Sequence, residues 1–374
     1  MQKRIFLSPP WVGTSEREAI AAAFDSGYVA PCGPMVDNFD ERLGTLAGQH
    51  AAAVASGTAA LDLLMAELKV GPSTTVLASS LTFIATVGPA VHRGAKLIFI
   101  DSDAQTGTIS IPLLEKALQD LRRGRTTRRG QVVVIAADIY GQCCDYDALE
   151  TLCAQYDATL VVDAAEAVGA TCRGRPAGLA GVASIYSFNG NKIITTSGGG
   201  AVLSRDPEIV ARARWRAQQS RERAVWYEHR EVGNNYRMSN LLASVGCAQL
   251  DRLPEIIRRK RRIFDFYRQL FNDDPNVVPF PCGDFTDSTR WLSVFIFESE
   301  AERDAAAARL TAANIESRPV WKPMHLQPVF RSCRVYGGEV SQRLFQHGLC
   351  LPSGAGLTAG QLRRIATVLK GQPR

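Results

Sequence analysis

The chain has 374 residues, of which 46% are hydrophobic and 21% charged, with a formal net charge of +6. That balance places it in the soluble globular class with enough length to bury a large core, and no apolar run of roughly 18 residues offers a membrane-spanning helix. The positive charge favours anionic partners. A nucleic-acid role is not expected, because the basic runs Arg122, Arg123, Arg125, Arg128, Arg129 and residues 258–262 lack the interleaved aromatics of a single-strand platform and read as solvated faces.

The opening MQKRIFLSPPWVG has neither the apolar stretch nor the cleavage region of a secretory signal, so a cytoplasmic protein without a membrane partner is expected. A helix is expected over 15–26, with Ser15 opening a capping box and Ile20, Ala23 and Phe24 following. YVAPCGPMV then reads as a turn-rich loop and 36–47 as a second helix. From there short apolar runs (AAAVA, TTVLAS, KLIFI, VVVIAAD, ATLVVDAA) alternate with helical or loop segments, the pattern of an α/β domain with a mainly parallel sheet and functional groups at strand ends.

After about Asp206 the pattern becomes helical over 207–217 and 240–271, with a kink or break expected at Pro254. The strand-like WLSVFIF, a helix over 301–313 and a final helix over 358–369 suggest a small C-terminal α/β domain. The division expected is a large domain over 1–260 and a small one over 261–374. Nine scattered cysteines with no CxxC pair point to reduced structural thiols and to no metal site.

Four islands carry chemistry: SGTAAL at 56–61, VVDAAEA at 161–167, SFNGNKIITTSGGG at 187–200 and NNYRMSN at 234–240. Lys192 stands in a Gly-rich loop after an apolar strand, a setting that argues against a solvated surface lysine. Asp163 ends the run ATLVV, as a directed strand-end carboxylate would, though capping the following helix is the bland alternative. The Gly57–Thr58 turn opens a helix, where backbone N–H groups can receive phosphate oxygens. The glycine cluster follows its lysine and is therefore no Walker A loop, nor does it form the G-x-G-x-x-G of a dinucleotide site.

Together these islands resemble the DegT/DnrJ/EryC1/StrS family of sugar aminotransferases, within the fold-type I pyridoxal-phosphate (PLP) enzymes. The resemblance spans nearly the whole chain and is most specific in SFNGNKIITTSGGG with DAAEA upstream. It implies that Lys192 holds PLP covalently, that Asp163 pairs with the pyridine nitrogen, and that Glu166 lies beside the ring, where many relatives carry Gln or His. It implies Gly57, Thr58 and Ser187 at the phosphate, Phe83 over the ring, and Asn235 reaching the phosphate of a neighbouring subunit, hence a homodimer with shared active sites.

Relatives that dehydrate sugars replace the lysine with histidine, so Lys192 argues for amino transfer. Within the family, the runs YEHREVGNNYRMSN and RPVWKPMHLQPVF look most like enzymes that aminate C4 of a UDP-4-keto-6-deoxy-N-acetylhexosamine with L-glutamate as donor. Another keto sugar nucleotide, such as a dTDP-linked one, is the alternative, and non-catalytic nucleotide-sugar binding a more distant one. Tyr28, Arg318, Lys322 and His325 are the candidate substrate contacts. Val87–Gly88–Pro89 and the TGTI of 106–109 depart from common family wording and bear on the sugar before they bear on transamination.

Overall fold

The computed structural model describes residues 3–124 and 130–371. Arg125, Arg128 and Arg129 of the first basic run lie outside the described residues, while Arg122 and Arg123 end the helix Ile111–Arg123.

The apolar runs form an eight-stranded sheet in the spatial order His50–Val54, Gly200–Ser204, Ala183–Ser187, Thr159–Asp163, Val132–Ala137, Thr75–Ser79, Lys96–Ile100, Arg334–Tyr336. Only Gly200–Ser204 runs against its neighbours; the other pairings are parallel. Val132–Ala137 is buried at every position, which explains why its sequence is uniformly apolar rather than alternating. Helices pack on both faces, over two separate apolar clusters.

The first helix runs Thr14–Asp25, and its cap differs from the sequence expectation. Gly13, not Ser15, is the N-cap, and Glu16 accepts the Gly13 N–H at 2.6 Å. The reason is tertiary: Glu16 also accepts from Arg252 at 2.8 Å and Gln249 at 2.6 Å on the long helix, which draws its carboxylate inward.

That helix is continuous from Asn240 to Leu270, with Pro254 inside it. A proline there forfeits one backbone bond, but Leu253, Ile256, Ile263, Phe264 and Tyr267 are all buried, and this apolar face holds the helix on the body of the protein.

Beyond it, Val277–Pro279, Ser293–Phe297, Gly348–Leu351 and Arg318–Pro319 make a second, antiparallel sheet with its own core. Helices Glu300–Ala312 and Ala359–Leu369 belong to this part, the latter capped by the Thr358–Gln361 box. The fold is thus α/β, with a large mainly parallel sheet and a smaller C-terminal α/β part.

The chain then does something no local pattern announces: Arg334–Tyr336 returns to the large sheet beside Lys96–Ile100. Asp101 secures the return by accepting N–H bonds from Gly338, Val340 and Ser341 at 2.6, 3.0 and 2.9 Å. None of the nine cysteines is in a disulfide. Among the described residues no helix is long and apolar enough to cross a membrane.

Candidate active site

Because the parallel strands point one way, their last residues collect at one rim. Asp163 ends Thr159–Asp163, Ser187 ends Ala183–Ser187, and Asp138 follows Val132–Ala137 directly. Gly57, Thr58, Phe83, Asp163, Glu166, Ser187 and Lys192 line a single cleft of about 310 Å³ at this rim.

Lys192 sits in the connection between Ala183–Ser187 and Gly200–Ser204, which is folded back on itself by Phe188 N–H to Gly199 C=O at 2.8 Å and Thr196 N–H to Phe188 C=O at 3.0 Å. The Lys192 Nζ lies 3.4 Å from Glu166 Oε1 and over the Trp291 ring at 4.4 Å from its centroid. The amine thus lies between a carboxylate and an aromatic face.

Asp163 is buried, which pushes its carboxyl above the usual range; Thr86, the Ala165 N–H and the Lys192 charge oppose that shift. Thr86 Oγ1 donates to Oδ2 at 2.6 Å and the Ala165 N–H to Oδ1 at 3.1 Å. Thr86 in turn shares a 2.6 Å bond with Thr82. Glu166 is also pushed up by burial, against the pull of Lys192, and its second oxygen accepts the Tyr140 N–H at 3.0 Å.

A Thr86→Val substitution preserves shape and deletes one donor to a buried carboxylate, a loss of about 1–3 kcal/mol in the charged form. The expected result is a kcat lowered by about tenfold or more, with its acidic limb moved to higher pH. A pH–rate profile unchanged from wild type would show that this hydroxyl does not support Asp163.

At the opposite wall, Ser56 caps the helix Gly57–Glu67 by accepting the Ala59 N–H at 3.0 Å. A Cβ at Gly57 would meet that of Ser187 at 3.1 Å, and one at Gly200 would stand 2.5 Å from the Gly57 nitrogen. Glycines therefore let the helix start, the Ser187 hydroxyl and the neighbouring strand crowd together. Phe83 is 56% exposed at the mouth and meets Trp321 edge-on at 5.2 Å.

Other expected residues lie elsewhere. Asn235 is exposed and off the cleft, bridged to Gln218. Its segment is anchored nearby: Ala55 N–H donates to Tyr236 C=O at 2.7 Å, and buried Arg237 grips Asp40 at 2.8 Å. Tyr28 is exposed, with its carbonyl held by Asn240 at 2.8 Å. Arg318 and Lys322 line an adjoining cleft of about 840 Å³ that shares Thr82, Phe83, Asn191 and Trp321 with the first. His325 lines neither; its Nδ1 is 2.6 Å from the Ser80 hydroxyl.

The structure also brings in residues that sequence reasoning missed: Trp291, Trp321, Thr86 and Asp138. Asp138 accepts from Tyr146 at 2.5 Å and from the Cys144 N–H at 2.8 Å, and burial pushes its carboxyl up to about 7. Its place directly after an apolar strand was the available signal. Trp291 carried none, since nothing local ties it to residue 192.

The rim, its lysine and its paired carboxyls can now be set beside known proteins. EpsN of Bacillus subtilis (strain 168), named for pyridoxal phosphate-dependent aminotransferase activity, is 41% identical over 99% of this chain and 96% of its own length. A GDP-perosamine synthase of Caulobacter vibrioides is 31% identical, over 98% of this chain and 97% of its own. Among solved structures, a protein named as a sugar aminotransferase from Streptococcus pneumoniae, in its PMP form, superposes with a TM-score of 0.89 at 24% identity, covering 98% of each chain, a likeness of fold. Residues 11–370 match the DegT/DnrJ/EryC1/StrS aminotransferase family, and the chain belongs to it.

Proposed function

We propose that this enzyme, a PLP-dependent sugar aminotransferase acting on a nucleotide-linked sugar, transfers the amino group of L-glutamate to C4 of a UDP-4-keto-6-deoxy-N-acetylhexosamine. The observation that carries the cofactor reading is the cleft itself: a lysine amine, a buried strand-end carboxylate and a glycine-lined helix start on one wall set. The residues fit the group. Among the described residues no cation bonds directly to Asp163, whose burial disfavours its charge, so a protonated ring nitrogen is the partner that would restore it. The crowded turn of Gly57, Thr58 and Ser187 suits a phosphate.

When bound, PLP supplies a carbonyl that exchanges amines and an electron-poor ring that stabilises negative charge on the reacting carbon. Lys192 would hold it and, as a free amine, would move the proton at the substrate carbon. Asp163 would hold a proton on the ring nitrogen, and Glu166, touching the Lys192 Nζ, would take part in holding that amine's proton. Phe83 and Trp321 keep water from the ring's face. Arg318 and Lys322, in the adjoining cleft, meet sugar or diphosphate oxygens, while Tyr28 and His325 stand outside its lining.

The same reading makes the working unit a homodimer in which Asn235 of one copy reaches the phosphate of the other; its exposure away from its own cleft supports this. It also divides the chain into a PLP-binding part over 1–260 and a small part over 261–374, supported by a second sheet built wholly from residues after 276. The name of the GDP-perosamine synthase favours a second reading, in which the acceptor is a GDP-linked keto sugar.

Incubating the PLP-loaded protein with L-glutamate and UDP-4-keto-6-deoxy-N-acetylglucosamine, then identifying the product by mass spectrometry and NMR, tests both. A new C4 amine is expected. Conversion of the cofactor by glutamate with this sugar untouched and a GDP-linked one aminated moves the reaction to the second substrate.

A further inference from the structure

Lys260 is 3% exposed in the middle of the helix Asn240–Leu270, and its polar partners are neutral. Its ammonium donates to the Trp291 carbonyl at 2.9 Å, the Ser353 carbonyl at 2.9 Å and the Ser8 hydroxyl at 3.4 Å. Three acceptors for three N–H groups is the number a protonated amine requires. Burying that charge against dipoles alone is costly, and it pulls the amine down to about 7. A methionine would fill the same space without the penalty, so core packing does not explain a lysine here.

Two of the three acceptors belong to residues that converge on one further atom, the carbonyl of Asn191, immediately before Lys192. The Trp291 indole N–H donates to it at 2.8 Å and the Ser8 hydroxyl at 3.3 Å. The bonds close a ring: Lys260 to Trp291, Trp291 to Asn191, Ser8 to Asn191, Lys260 to Ser8. The Trp291 ring so held is the one beneath the Lys192 amine.

We propose that Lys260 is a positioning residue for Lys192, its ammonium locking Trp291 and Ser8 onto the Asn191 carbonyl and thereby fixing the loop that carries the lysine. Without it, both donors lose the anchor that orients them, and an exposed-rim loop relaxes first because its own bonds are few. The Ser353 contact permits a blander role, a staple between the long helix and the C-terminal sheet, which would affect stability alone.

Hydrogen exchange on the full-length protein without added cofactor separates the two. In Lys260→Met the amides of 189–194 exchange about tenfold faster, while those of Val132–Ala137 keep their wild-type rate. Trp291→Phe keeps the aromatic ring, deletes the indole donor, and gives a comparable increase. The double variant adds little to either, the mark of residues acting through one path.

Wild-type exchange at 189–194 in both variants, or effects that simply add, would overturn the proposal. Should Lys260→Met not fold, Trp291→Phe and Ser8→Ala carry the same comparison. In the loaded enzyme, Lys260→Met lowers kcat by about tenfold with KM within about twofold, since misplacement of a reacting group is felt in the chemical step. This kinetic measurement rests on the proposed function, with Lys192 as the cofactor-bearing lysine. Inactive wild-type protein with the expected exchange pattern sinks that assignment and leaves the positioning intact. Faster loop exchange with an unchanged kcat sinks the catalytic consequence instead.

Discussion

Lys192→Ala is expected to lower kcat by about 10⁴-fold or more, because in the proposed mechanism one amine provides both the covalent hold on the cofactor and the proton transfer. The visible absorption of lysine-linked PLP disappears in the same variant. The substitution also strips Glu166 of its nearest cation, and burial then drives that carboxyl further toward its neutral form. Glu166→Gln isolates this secondary effect: it removes the negative partner and leaves the amine. If Lys192 served only as counterion to Glu166, the two variants would lose activity equally. The expected outcome is a far smaller loss for Glu166→Gln, with the lysine-linked absorption retained. Residual activity in Lys192→Ala within tenfold of wild type would remove Lys192 from the chemistry.

Asp163→Asn is the second large effect, about a 10²- to 10⁴-fold fall in kcat, the range set by removing one partner of a buried charge pair at about 3–5 kcal/mol. Asparagine keeps the shape; its one oxygen can still accept the Ala165 N–H, while its amide N–H donates to the Thr86 hydroxyl in place of the bond the carboxylate accepted, so the scaffold around it survives. What is lost is the negative charge that, in the proposed mechanism, holds the ring nitrogen protonated. PLP titration followed by absorbance reads the binding part and steady-state kinetics the chemical part. A kcat within threefold of wild type would mean that the nitrogen finds its proton elsewhere, with Asp138 and Glu166 the other acids that line the cleft. The sign with pH follows from direction alone. In the unliganded protein, burial raises the Asp163 pKa, so its contribution to folding stability is present at low pH and fades as pH rises through the folded value. Asp163→Asn should therefore flatten the fall of Tm with rising pH in the cofactor-free protein.

The alternation of apolar runs and helical segments made the α/β class legible, because strand and helix periods are local properties. Motif spacing made the candidate set legible to the extent that its members stand at element ends: Asp163 and Ser187 close strands, and Gly57 opens a helix. The errors were equally local. Ser15 had the form of a cap, but Glu16 is drawn to Arg252 across 236 positions. Pro254 had the form of a break, but a buried face held the helix through it.

By its own sequence, then, the chain determined the class of its elements, the lysine and aspartate at the centre of its proposed chemistry, and the family to which it belongs. The tertiary structure alone decided what surrounds them. Thr86 meets Asp163 across 77 positions, the Trp291 indole meets the Asn191 carbonyl across 100, and Arg334–Tyr336 rejoins a sheet whose other strands end by residue 204. Such contacts follow no periodicity. They exist because several elements must bury their apolar faces at once, and the side chains left at the shared rim find partners that only that packing brings within reach.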